Sequence, residues 1–242
     1  MRPADPGLRL HPTTIPTADS TRLPPVRAVV CDLDHTLTPQ SSVVELSRAL
    51  GAPIGEVTAL YRDYQAEQLT HGQIRTQLLE LWTRAGLATR TTIESVFHQL
   101  PIKDDALRLA AALMARGLPL CLITSSAQLY ANIMTGRLQA TCGYGNGQLH
   151  FNTEGFLEDL DFTRDTADLK LRQLRQFTAA HGLKPGETVA IGNGSNDLLM
   201  FDATGRGVLV TTTTSTRHTH RAWATVRHLD EVIPLIDAGP QR

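Results

Sequence analysis

Two carboxylates separated by one residue, Asp32 and Asp34, follow directly on the apolar run Val26-Arg27-Ala28-Val29-Val30-Cys31 and lead into Thr36. A second apolar run, Leu118-Pro119-Leu120-Cys121-Leu122-Ile123, ends in Thr124-Ser125-Ser126. A third, Thr188-Val189-Ala190-Ile191, opens into Gly192-Asn193-Gly194-Ser195-Asn196-Asp197. Short runs rich in β-branched residues read as strands, and in parallel α/β sheets ligands bind just beyond the carboxyl ends of the strands. The three polar ends are therefore expected to converge on one site. Asp32, Asp34 and Thr36 come from the first strand, Thr124 from the second, and Asn193 with Asp197 from the third. Such an oxygen-rich, carboxylate-rich pocket suits a hard divalent cation.

The elements that must position these residues follow from hydrophobic period. Between residues 40 and 104 apolar side chains recur at helical spacing in four blocks: Val43 to Leu46, Val57 to Tyr64, Ile74 to Trp82, and Ile93 to Leu100. Four amphipathic helices are thus expected to interrupt an α/β chain. Strand and helix alternate again from Asp105, with Leu107, Ala110, Leu113 and Met114 on one helix face and Gly117 as its stop. The glycines at 143, 145, 147 and 155 around Gln148-Leu149-His150-Phe151 predict a β-hairpin over residues 142–156. A helix over residues 167–181 carries Lys170, and Gly207-Val208-Leu209-Val210 predicts a fourth strand. The threonine-rich residues 211–216 read as a loop. The proline-rich residues 1–25, with no continuous apolar stretch, read as a flexible tail.

Bulk properties narrow the function classes. Apolar residues at 41% and charged residues at 19% describe an ordinary soluble, folded protein. With 23 Lys and Arg against 24 Asp and Glu, the net charge is −1, which offers no basic field for a nucleic acid. No apolar run has the length that spans a bilayer, so a membrane is excluded as a partner on sequence grounds. Cys31, Cys121 and Cys142 form no CxxC pair and are an odd number, which fits core packing in a reducing cytoplasm. His218 and His220 read as a solvated pair.

The Asp32-Leu33-Asp34-His35-Thr36 segment resembles the DxDxT nucleophile motif of haloacid dehalogenase-type phosphatases. The ordered series DLDHT, LITSS, Lys170 and GNGSND extends the likeness from Val26 to Asp237. Within the superfamily it is similar to the phosphoserine phosphatase-like group. That likeness implies an α/β fold: a Rossmann-like three-layer core with a parallel sheet, formed by residues 26–39 and 105–242, plus an inserted four-helix cap of the C1 type, residues 40–104. It further implies Mg²⁺-dependent hydrolysis of a small phosphorylated metabolite. Asp32 would be the nucleophile forming an aspartyl phosphate, and Asp34 the acid and later base. Thr36, Thr124 and Lys170 would bind the phosphoryl group, with Ser125 or Ser126 as alternatives to Thr124. Asp32, Asp34 (through its backbone carbonyl), Asn193 and Asp197 would form the metal site.

The chain departs from that group in informative places. Asn193 stands where an aspartate is usual, bringing an amide oxygen without charge. Ser41 falls where a head-group glutamate is usual and Leu78 near the usual arginine, while Glu45, Arg62 and Arg75 lie nearby out of register. Ser125-Ser126 replaces a glycine pair. Phosphoserine is thus expected to be a poor substrate. Phosphotransfer through the same intermediate, and a phospho-ligand-binding module without turnover, are the competing readings.

Overall fold

The computed structural model describes residues 24–211 and 218–238. The expected tail and the threonine loop lie almost wholly outside the described residues. In chain order the strands are β1 (Ala28–Cys31), β2 (Leu120–Ile123), β3 (Cys142–Tyr144), β4 (Gly147–Phe151), β5 (Leu157–Phe162), β6 (Thr188–Gly192), β7 (Gly207–Val210) and β8 (Ala224–Val226). The helices are α1 (Ser42–Ala49), α2 (Ile54–Gln65), α3 (His71–Thr83), α4 (Arg90–Gln99), α5 (Asp104–Ala115), α6 (Gln128–Leu138), α7 (Thr166–Ala180), α8 (Leu198–Thr204) and α9 (Val232–Asp237).

Six strands form one parallel sheet in the order β3-β2-β1-β6-β7-β8. Strand β1 sits near the middle, where its four residues are fully buried. Its uninterrupted apolar sequence is what a strand covered on both faces requires. Alternation then sends Val29 and Cys31 to one layer and Ala28 and Val30 to the other. The first layer contains Leu109 and Leu113 of α5, Met134 of α6 and Val232 of α9. The second contains Leu174 and Phe177 of α7 with Met200 and Phe201 of α8. The result is the Rossmann-like, three-layer α/β architecture that the family likeness implies.

Helices α1 to α4 lie between β1 and α5, as the helical period requires. The start of α3 is set by a reciprocal cap, in which Gln73 N–H donates to Thr70 Oγ1 at 3.2 Å and Thr70 N–H to Gln73 Oε1 at 2.8 Å. Trp82 of α3 donates its indole N–H to Ser47 of α1 at 2.8 Å, satisfying a polar atom inside an apolar cluster.

Several features differ from the expectations. The hairpin lies further along than residues 142–156: Cys142–Tyr144 joins the main sheet beside β2, and β4 pairs antiparallel with β5. Strand β5 escapes a reading by apolar run because Leu157, Leu160 and Phe162 are interleaved with Glu158, Asp159 and Asp161. Helix α6 was unmarked in sequence because Asn132, Thr135 and Gly136 interrupt the buried Tyr130, Ala131, Met134 and Leu138. Strand β8 and helix α9 also lie beyond the expected elements. No helix among the described residues is long and apolar enough to cross a membrane.

Candidate active site

Strand β1 stops where Asp32 begins, and Asp32 N–H still reaches Ile191 O of β6 at 3.0 Å, so the ladder fixes the backbone beneath the carboxylate. Beyond it the chain folds into a tight turn. The amides of Thr36, Leu37 and Thr38 all converge on Leu33 O, and His35 adopts φ +61°. That left-handed conformation is one that histidine tolerates better than most residues. Lys103, just before α5, anchors the turn from outside by donating to His35 O at 2.9 Å.

The turn and the loop after β6 enclose a buried charge cluster. Lys170 of α7 is only 1% exposed and donates to Asp32 Oδ1 at 2.5 Å and Asp197 Oδ1 at 2.8 Å. Thr36 Oγ1 donates to the other Asp32 oxygen at 3.0 Å. Asp197 Oδ2 accepts from the amides of Asn193 and Gly194, each at 3.0 Å. Only glycine permits this at 192, since a Cβ there would lie 2.3 Å from Asp197 Cγ. Burial pushes the Asp32 carboxyl up to about 7, Lys170 pulling it down and Asp197 adding to the rise. Burial opposes the charge on Lys170 too, yet Asp197 and Asp32 outweigh it and hold the ammonium protonated. Arg172 and Arg175, the neighbouring cations, are exposed on the outer face of α7.

Asp34 is held by the first residue of α1. Ser42 N–H and Oγ lie 3.0 and 2.7 Å from Asp34 Oδ2, and Ser42 Oγ is also 2.7 Å from Ser126 Oγ. Asp34 Oδ1 is buried without a partner among the described residues. Burial raises the pKa of this carboxyl, against the two Ser42 hydrogen bonds and the nearby Tyr130 hydroxyl, which favour its charged form. Sequence patterns missed Ser42 and Tyr130. The only available signal for Ser42 was its place at the junction between the carboxylate turn and the first helical period.

Thr124, at the end of β2, is buried, and its Oγ1 accepts from Ser126 N–H at 3.1 Å while its N–H donates to Tyr144 O. Ser125 Oγ accepts from Asn196 Nδ2 at 2.9 Å, which ties the second strand end to the third. Among the three head-group candidates, Arg75 is committed to Asp159 and Leu160 O of β5, and Glu45 to Arg48 of its own helix. Arg62 lies on the wall of a cavity of about 680 Å³ that runs from Asp34 between α1, α2 and the β4–β5 hairpin.

The residues offered to a cation are an all-oxygen set. No group of three or more His, Cys, Asp or Glu side chains converges as a metal cluster among the described residues. Asp32 and Asp197 each have both oxygens hydrogen-bonded inside the protein, but Asp197 is fully buried whereas Asp32 keeps some exposure. The remaining donors are the Asp32 carboxylate, the Asp34 main-chain carbonyl, which no hydrogen bond reaches among the described residues, and the exposed Asn193 amide. This set fits magnesium, a hard ion that is commonly held by one or two carboxylates and retains water.

A parallel α/β core with a helical insertion after its first strand, and carboxylates gathered with a lysine at the strand ends, defines a haloacid dehalogenase-type fold. The profile of the haloacid dehalogenase-like hydrolases matches residues 29–202, and the chain belongs to that family. Its relatives include a phosphoserine phosphatase of Streptomyces coelicolor, 30% identical over 87% of this chain and 50% of that protein. Another, from Idiomarina loihiensis, is 26% identical over 74% of this chain and 80% of that one. The chain thus spans about half the length of the Streptomyces relative. A HAD family hydrolase from Salmonella enterica serovar Typhi superimposes with a TM-score of 0.71, at 18% identity, over 88% of this chain and 72% of that one. A phospho-aspartyl intermediate analogue of phosphoserine phosphatase gives 0.67, at 18% identity, over 87% of this chain and 98% of that one. These likenesses speak for the fold.

Proposed function

We propose that the chain is a phosphoric monoester hydrolase that passes the phosphoryl group of a small-molecule ester first to Asp32 and then to water. The observation that carries this reading is the buried Lys170 bridging Asp32 and Asp197. A phosphate dianion repels a carboxylate nucleophile, and an ammonium fixed beside that nucleophile offsets the repulsion where water cannot. Asp32 attacks phosphorus as the ester P–O bond breaks, and Asp34 delivers a proton to the departing oxygen. Asp34 then takes a proton from the water that attacks the aspartyl phosphate, releasing phosphate and restoring Asp32.

The raised pKa of Asp34 suits the first of these tasks, and the Ser42 contacts keep its carboxylate aimed in both. Thr124 and Ser125, at the end of β2, are placed to receive phosphoryl oxygens. Magnesium held by Asp32, the Asp34 carbonyl and Asn193 would supply further charge neutralisation at the phosphoryl group. Helices α1 to α4, within residues 40–104, act as the cap that selects the organic part and excludes water. The test is phosphate release from a panel of phosphate esters with and without Mg²⁺, comparing the native chain with Asp32→Asn. Magnesium-dependent release lost in the variant supports the reading, and release that survives the substitution overturns it.

A further inference from the structure

The cavity that opens on Asp34 has a wall whose character can be read group by group. At about 680 Å³ it falls in the range of roughly 300–1,000 Å³ that takes drug-sized ligands. Its body is apolar: Val44, Val57, Leu78, Leu149, Leu160 and Phe162 face it from α1, α2, α3 and the hairpin.

The charged groups on that wall are matched by the protein or turned to solvent. Asp161 pairs with His150 at 2.7 Å and accepts the Gln148 amide at 3.2 Å. Arg164 donates to Tyr64 O, lies 4.7 Å over the Tyr64 ring and pairs with Glu67. Arg62 is turned to Asp63 at 2.9 Å. Asp34 is held by Ser42 and belongs to the reaction. No unpaired carboxylate therefore waits for a substrate ammonium among the described residues, and the guanidinium that keeps free N–H groups, Arg62, is 73% exposed, where an ion pair contributes little. What is left open on the wall is neutral: the side chains of Ser41, Gln65, Thr166 and Tyr61 line the cavity without a protein hydrogen bond among the described residues. Tyr61 borders the cavity with a hydroxyl that has no protein partner among the described residues, and burial pushes its phenol pKa up. A charged head group drawn against this apolar wall gives up hydration without gaining a buried counter-charge, so the wall disfavours zwitterions.

From this geometry we infer that the substrate is a phosphate monoester whose organic part is uncharged and mainly apolar, of aromatic or comparable bulk, with any polar group being one that hydrogen-bonds to neutral partners such as Tyr61, Ser41 and Thr166. The inference rests on the hydrolase reading for the position of the phosphoryl group, but concerns only what the wall accepts.

Two measurements separate the claims. The first is calorimetric binding, in Mg²⁺ buffer, of benzylphosphonate against 2-amino-4-phosphonobutanoate, which share the phosphonate and differ in the charge of the organic part. Burial of one ring against this wall is expected to favour the benzyl compound by at least about tenfold. Leu149→Asp, which sets an unpaired carboxylate into the wall at a half-buried position, is expected to abolish that preference. Tyr61→Ala, which removes wall surface without adding charge, is expected to weaken benzylphosphonate severalfold and leave the amino acid analogue unchanged. The second measurement is kcat/KM for benzyl phosphate against phosphoserine. Preferred binding without turnover of either ester would sink the hydrolase reading and leave the substrate class standing. Turnover of both esters at equal efficiency, equal or tighter binding of the amino acid analogue, or failure of both phosphonates to bind would overturn the substrate class.

Discussion

At the scale of single residues, Lys170 carries the most. It is a cation closed between two carboxylates that are themselves buried, so its removal leaves like charges facing each other in a dry site. Lys170→Met is expected to cost about 3–5 kcal/mol of stability, because breaking a buried pair strands its partners. Urea denaturation measures that loss. Adding Asp197→Asn should return part of it by removing one stranded charge. Turnover in Lys170→Met should fall by about 100-fold or more, a scale set by single electrostatic donors in other enzymes. The Asp32 pKa near 7 predicts a pH dependence with a definite sign. Only the deprotonated carboxylate attacks, so kcat/KM should rise as pH increases through about 7, and saturating Mg²⁺ should move that limb to lower pH by favouring the anion. By linkage, a raised carboxyl pKa contributes stability that is present below its ordinary 3.8 and lost as pH rises through about 7. Asp34 separates from Asp32 by leaving group. Asp34→Asn should slow an alkyl phosphate by roughly 10²–10⁴, but an aryl phosphate with an acidic phenol much less in the first half-reaction, read as a burst of released phenol.

At the scale of elements, the site is made by strand ends, and the loop after β6 is its tightest part. Gly192→Ala would drive a Cβ into the Asp197 carboxylate. It is expected to cost about 1–3 kcal/mol and to lower kcat through loss of the Lys170 anchor, with denaturation and initial rates as the two readouts. The same scale explains what was legible in the sequence. Strands β1, β2, β6 and β7 announce themselves because a strand buried on both faces must be apolar throughout, and the first three end in the polar residues that matter. The helices of the insertion are legible because each buries one stripe. Helix α6 was not, since Asn132, Thr135 and Gly136 stand among the apolar residues it buries. The contacts that complete the site span the chain: Asn196 to Ser125, Ser126 to Ser42, and Tyr130 near Asp34. No local period encodes such pairs, because each exists only once the sheet has brought distant strand ends together. Lys170 shows the limit most clearly. An amphipathic pattern puts a lysine on the wet face, and only the approach of α7 to two strand ends makes burial of that charge affordable.

At the scale of the molecule, the helical insertion and the sheet share one apolar cluster, which reaches from Leu46, Trp82 and Phe97 through Tyr130 to Val29 and Ile191. The Phe97 and Tyr130 rings lie 5.1 Å apart at the seam, and Arg137 of α6 donates to Leu100 O just beyond α4 at 2.6 Å. Arg75 of α3 adds an ion pair with Asp159 of the hairpin, but both side chains are over a third exposed, so it should contribute less than about 1 kcal/mol and weaken with salt. The apolar seam therefore decides whether the insertion folds alone. Because α4 packs on α6 of the sheet layer and α1 packs in turn on α4, the whole should unfold as one unit. The two tryptophans allow this to be measured: Trp82 is buried in the insertion, and Trp223 is anchored beside β7 by its backbone N–H to Gly207 O. With Trp223→Phe leaving the first reporter and Trp82→Phe the second, urea transitions followed by fluorescence should each coincide with the loss of helical circular dichroism for that variant. Phe97→Ala, introduced into either background, should lower both transitions by about 3–5 kcal/mol and keep each fluorescence transition on its dichroism transition. If Trp82 instead reported an earlier transition while Trp223 kept its own, the insertion would be a separately folding unit, and the seam would be an interface that opens and closes over Asp34.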